Sequence, residues 1–167
     1  MTGSFAPALR DHDGELAPTV FLIAHDDYHA SHVGRTADGR QFFITTPFAP
    51  GAEFVARYLF DDAGQLTDAE VVPLGPRPGN GVLPGNTAAF TAQEETMQRL
   101  LDEVGPVSYG EITIAPFAVK AHGRAFGMVL NGPDPEDPHE EWYWSVNLEP
   151  GDFMGFYAPW DSGEYDT

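Results

Sequence analysis

Residues 33–74, VGRTADGRQFFITTPFAPGAEFVARYLFDDAGQLTDAEVVPL, decide the fold class. Asp38-Gly39 sits between two apolar runs, and this dipeptide favours a two-residue hairpin turn. On the strand after it, Phe42 and Ile44 face one side, and Phe43 and Thr45 the other. EFVARYLF then alternates with a period of two, which puts Phe54, Ala56, Tyr58 and Phe60 on a single face. DDAG breaks that run and QLTDAEVVPL resumes it. The stretch reads as an antiparallel meander of four strands.

Downstream, TAQEETMQRLLDEVGP is a helix. Thr91 with Glu94 makes a capping box, and Met97, Leu100, Leu101 and Val104 form an apolar stripe at helical spacing. Gly105 suits the left-handed position after the last turn, and Pro106 stops the helix. YGEITIAPFAVKAHGRAFGMVLNG reads as a second hairpin turning at His122-Gly123. HEEWYWSVNL and FMGFY are further strands, with Trp142, Trp144, Val146 and Leu148 on one side of the first. GPRPGNGVLPGN and PDPEDP are loops. The expected fold is therefore α+β: an antiparallel sheet of meander and hairpins with one main helix packed on one face. Residues 1–18 carry no period and read as an N-terminal arm, and 19–167 as a single α+β domain.

Composition narrows the function classes. Twenty-six acidic residues against eight basic give a formal charge of −18, which repels a phosphate backbone and an anionic membrane surface. No nucleic-acid or membrane partner is expected. A basic protein partner or self-association is compatible with this charge. With no cysteine there is neither a disulfide nor a thiolate nucleophile. VFLIA is too short for a signal-peptide core and lacks a basic flank, so a cytoplasmic protein is expected.

Catalytic motifs are not apparent. Gly79, Gly81 and Gly85 approach a dinucleotide fingerprint, but Pro78 and Pro84 intrude and the helix begins some six residues late. There is no Gly-x-Ser-x-Gly elbow, and PDPEDPHEE lacks the ligand alternation of a calcium loop. No catalytic residue and no cofactor are assigned, and an enzyme is not expected. AHDDYHASH, residues 24–32, holds His25, His29 and His32. On a helix, this spacing would turn the imidazoles toward one face and could hold zinc. Its position between a strand and a hairpin makes a solvated polar loop the default, with Asp26 and Asp27 as turn residues. No metal site is assigned.

The carboxy end is more informative. Beyond Arg124 there are ten acidic residues, no Lys or Arg, and all three tryptophans. Trp160 and Tyr165 either anchor the tail to the body or belong to an acidic, aromatic-rich face for a basic partner. Trp160, Asp161 and Tyr165 are the candidate binding residues, with Asp161 expected to cap a turn.

YAPWDSGEYDT resembles the carboxy terminus of a family of small acidic bacterial proteins ending in Pro-Trp-Asp-Gly-x-Tyr-Asp-Thr. GRTADGRQFF, LFDDAGQL, GPVSYGEITIAPFAV and GRAFGMV extend the resemblance over most of residues 33–167. Ser162 stands here where that pattern has glycine directly after the aspartate. Some members carry the name formate hydrogenlyase regulatory protein HycA-like. The resemblance implies a soluble, intracellular bacterial protein without a catalytic motif. The expected function is a non-enzymatic binding or regulatory protein acting through an acidic surface, an immunity-type protein being one version. Two alternatives stay open: a metal-binding protein using His25, His29 and His32, and a homo-oligomeric structural module.

Overall fold

The computed structural model describes residues 9–75, 87–133, 143–151 and 153–167. The Gly79–Gly85 loop, PDPEDP, His139 and Trp142 lie outside them.

The meander forms as its alternation dictates. β2 (Val33–Thr36), β3 (Gln41–Thr45), β5 (Ala52–Phe60) and β6 (Leu66–Gly75) pair antiparallel in succession. β4 (Phe48–Ala49) adds to β5, and β7 (Val107–Tyr109) to the outer edge of β2. In β5, Phe54 through Phe60 are all buried. Phe54, Ala56, Tyr58 and Phe60 enter the main core, while Val55 and Leu59 enter a second core with Phe42 and Ile44.

The second core is closed by α1 (Thr87–Val104), whose Leu100 is fully buried there with Met97, Leu101 and Val104 around it. Arg57, on the same side of β5, bonds Glu103 of the helix (3.0 Å) and reaches Asp68 and Glu70 of β6. Arg99 joins Glu70 and Glu103 (3.2 and 2.9 Å), so the ion pairs tie helix to sheet. The capping-box expectation is corrected. The helix begins at Thr87, so Thr91 lies inside it rather than at its start. Thr87, Ala88 and Ala89 extend it, alanine being the best helix former. At the other end, Gly105 does adopt φ +86° and closes back on Leu101 and Asp102.

The main core is closed by a second sheet, β12-β11-β10-β9: β9 (Phe117–Ala121), β10 (Arg124–Asn131), β11 (Ser145–Glu149) and β12 (Gly155–Phe156). Phe117 packs edge-on against Tyr58 and Phe60, and Phe126 against Phe54, with ring centres 4.7–5.3 Å apart. A third sheet pairs β1 (Phe21–Ile23) with β8 (Ile112–Ile114) and contributes four more core side chains. Ile112–Ile114 was expected in the second hairpin, but it pairs with β1 instead.

The α+β expectation is therefore corrected. Among the described residues the protein is predominantly β: twelve strands in three antiparallel sheets and a single helix. The reason is that β5 is buried on both faces, so one face needs a second sheet as well as the other needing the helix. The later hairpin could not extend the first sheet at β2, because β7 already occupies that edge.

Two local devices join these layers. Buried Gln41 uses its side-chain amide like a short strand, donating to Thr113 O (2.8 Å) and accepting from Thr113 N (2.8 Å). Residues Arg10 to Leu16 form a hairpin that reaches Trp144: Trp144 donates its backbone N–H to Asp11 and its ring N–H to Glu15 O.

The turn at Asp38-Gly39 is also corrected. Thr36 N bonds Arg40 O and Gly39 N bonds Thr36 O, a three-residue loop with Gly39 at φ +88°. Thr36 holds it by hydrogen bonding Asp38 and receiving Arg40 N through its hydroxyl. His122-Gly123 is the two-residue turn, with both residues at positive φ.

Leu100→Ala should lower stability by about 2–5 kcal/mol in chemical denaturation, since it empties a fully enclosed site. A Cβ on Gly34 would sit 2.0 Å from Ser108 O. Gly34→Ala should therefore cost about 1–3 kcal/mol and raise amide exchange along Val107–Tyr109. An unchanged midpoint for either variant would count against the packing described.

Candidate functional site

The segment joining β1 to β2 contains no helix; Asp26 organises it. One carboxylate oxygen of Asp26 accepts from Tyr28 N (2.9 Å) and Ala30 N (3.0 Å), the aspartate-turn pattern. The other accepts from the Tyr165 hydroxyl, which in turn accepts the His29 backbone N–H at 3.1 Å. Burial pushes the Asp26 carboxyl up, but these donors outweigh it and hold it below the ordinary carboxylate value. Burial, and then the hydrogen bond it donates to Asp26, push the Tyr165 phenol up to about 12.

This arrangement separates the three histidines. The His29 ring stacks on Tyr28 (3.7 Å) and lies 4.6 Å from Phe153, on the tail side. His25 and His32 flank Tyr109 instead, at 5.6 and 6.2 Å. A His25 ring nitrogen bonds Ser31 O, while Nδ1 of His32 is buried without a partner. Among the described residues no three His, Asp or Glu side chains form a group able to hold a metal ion. His12 packs against Tyr143, and His122 bonds Val71 O.

The tail runs back along β1. Leu22 N donates to Trp160 O (2.8 Å) and Ala24 N to Gly163 O (3.2 Å). Asp166 then exchanges two 2.9 Å bonds with Gly155 of β12. Trp160 and Tyr165 pack, partly buried, against the main core, and Trp160 Nε1 is buried without a partner. Asp161 is exposed. The side chain that braces its turn is Ser162, whose hydroxyl accepts Glu164 N at 3.2 Å. Thus Trp160, Asp161 and Tyr165 share one strap, and of the three only Asp161 is exposed.

An open groove runs between Ala24, Asp26 and Tyr28 on one wall and the tail from Gly163 to Thr167 on the other. Glu164 and Asp166 are exposed along it, and Tyr28 stands 65% exposed at its rim. The sequence reading named Tyr165 but not Asp26 or Tyr28 as its neighbours. The only signal for Asp26 was its turn-forming residue type, and nothing local linked it to a tyrosine 139 positions away. Comparison with protein-family profiles, with curated proteins and with solved structures found no match to this chain.

Burial lowers the proton affinity of both His29 and His32 in the folded protein. For His32 the charge of His25 adds to this; for His29 Asp26 opposes it. The unfolded chain thus binds these protons more readily than the folded one. Their contribution is fully present above about pH 6.5 and is lost as pH falls through the depressed folded values. We expect the melting temperature to drop between pH 7 and 5, with a shallower slope in His32→Gln. An identical slope in that variant would remove His32 as a source.

Proposed function

We propose that this chain is a non-enzymatic binding or regulatory protein that takes up a basic protein segment along the groove between Asp26 and the tail. The observation that carries this reading is the juxtaposition of Asp26, Glu164 and Asp166 with the exposed ring of Tyr28. Carboxylates complement Lys and Arg, and a tyrosine face receives a guanidinium by cation–π attraction. The net charge of −18 would draw such a partner in from a distance. Within the candidate set, Tyr165 lines the groove, whereas Trp160 and Asp161 lie earlier on the strap, beside Phe21, Leu22 and Thr113. A cytoplasmic setting and kinship with the HycA-like bacterial proteins belong to the same reading.

A short arginine-rich peptide titrated into the isotope-labelled protein tests it by NMR. Shifts should concentrate at Tyr28, Glu164 and Asp166 and weaken steeply with added salt. Glu164→Gln with Asp166→Asn should reduce affinity roughly tenfold. Shifts scattered over remote acids such as Glu95 and Asp102, insensitive to the double variant, would mean diffuse charge attraction and no site.

A further inference from the structure

Among the described residues, four loops start from one plan, and three complete it alike. In Asp11–Glu15, Thr36–Arg40 and Asp61–Gln65 the first residue's N–H bonds the fifth residue's carbonyl, at 2.8–2.9 Å. The fourth residue of each is glycine: Gly14, Gly39 and Gly64, at φ +79°, +88° and +86°. Its N–H returns to the first residue's carbonyl at 3.0 Å in all three. Asp11 and Asp61 also accept from the third and fifth N–H groups through one carboxylate oxygen.

Asp26–Ala30 repeats the outer bond (Asp26 N to Ala30 O, 3.1 Å) and both carboxylate bonds. Its fourth residue, however, is His29, which does not enter the left-handed region. A side chain with a Cβ takes up that conformation only at a cost that glycine does not incur. The His29 N–H therefore does not close the turn; it donates to the hydroxyl of Tyr165, 136 residues away. The same hydroxyl donates to Asp26. One phenol thus replaces the missing turn bond and grips the carboxylate on which the loop is built.

We infer that Tyr165 is a latch: the loop Asp26–Ala30 keeps its shape only while the tail is docked, and release of the tail frees Tyr28 and His29. The other three loops are closed from within and do not depend on the tail. The latch makes one wall of the groove conditional on the other. It stands whether or not a basic partner uses that groove, because it concerns bonds within the chain.

Amide hydrogen exchange followed by NMR on the full chain tests this, with the Asp11 and Asp61 loops as internal controls. Tyr165→Phe should speed exchange at His29 and Ala30 roughly tenfold, the scale of one lost hydrogen bond. Gly14, Gly64 and Gln65 should be unchanged. Adding His29→Gly lets residue 29 reach positive φ and bond Asp26 O, so the double variant should regain most of the lost protection at Ala30. Unchanged exchange at His29 and Ala30 in Tyr165→Phe would overturn the latch. So would an equal rise in all the loops, which would mean that the tail stabilises the whole fold, or a double variant no better protected than the single one.

Discussion

The structure depends on the burial of β5 on both faces. A strand with one polar face can end a fold; this one requires a cover on each side. Phe54, Ala56, Tyr58 and Phe60 look into the aromatic layer contributed by the second sheet, and Val55 and Leu59 look toward Leu100. The demands on the two sides differ. The helix side accommodates a guanidinium, Arg57, because three carboxylates converge on it from β6 and α1. The other side admits rings packed edge to face, a geometry that adds to simple area burial. Tyr58 is the exception there: its hydroxyl is buried without a partner, and burial pushes its ionisation well above the ordinary phenol value.

What was legible in the sequence is what is local. Period-two alternation located β3 and β5, and β6 followed from its position after a breaker. The apolar stripe from Met97 to Val104 and the stop at Gly105 both hold in the structure. The partition into three sheets was not legible, because it depends on which edges are already taken when distant strands meet. β1 pairs with β8 across some ninety intervening residues, and neither three-residue segment carries a mark of its partner. The start of the helix was misplaced because a well-formed capping signal at Thr91 competed with good helix formers before it. The turn type at Asp38 was missed for a related reason: the dipeptide suggested two residues, while Thr36 supplied the hydroxyl that a longer loop needs.

The candidate site was legible only in halves. AHDDYHASH and the tail each stood out, one for histidines and the other for aromatics and acids. The link between them is one phenol on one carboxylate, a contact that leaves no periodicity. The histidines drew notice by residue type, yet the residue that shapes the segment is an aspartate doing backbone work. A carboxylate that satisfies two N–H groups fixes more of a loop than three imidazoles without a common ligand.

The pairing of β1 has a consequence for how the chain is made. β1 finds its strand partner at Ile112–Ile114 and a second set of backbone bonds at Trp160 and Gly163. During synthesis it therefore emerges long before either neighbour exists. The meander can assemble early from adjacent strands, but Phe21 and Ile23 must wait, apolar and unpaired, until the distant segments arrive. Closing such long loops comes late and slowly. In the nascent protein, apolar surface left unpaired in this way is open to aggregation until the later strands arrive.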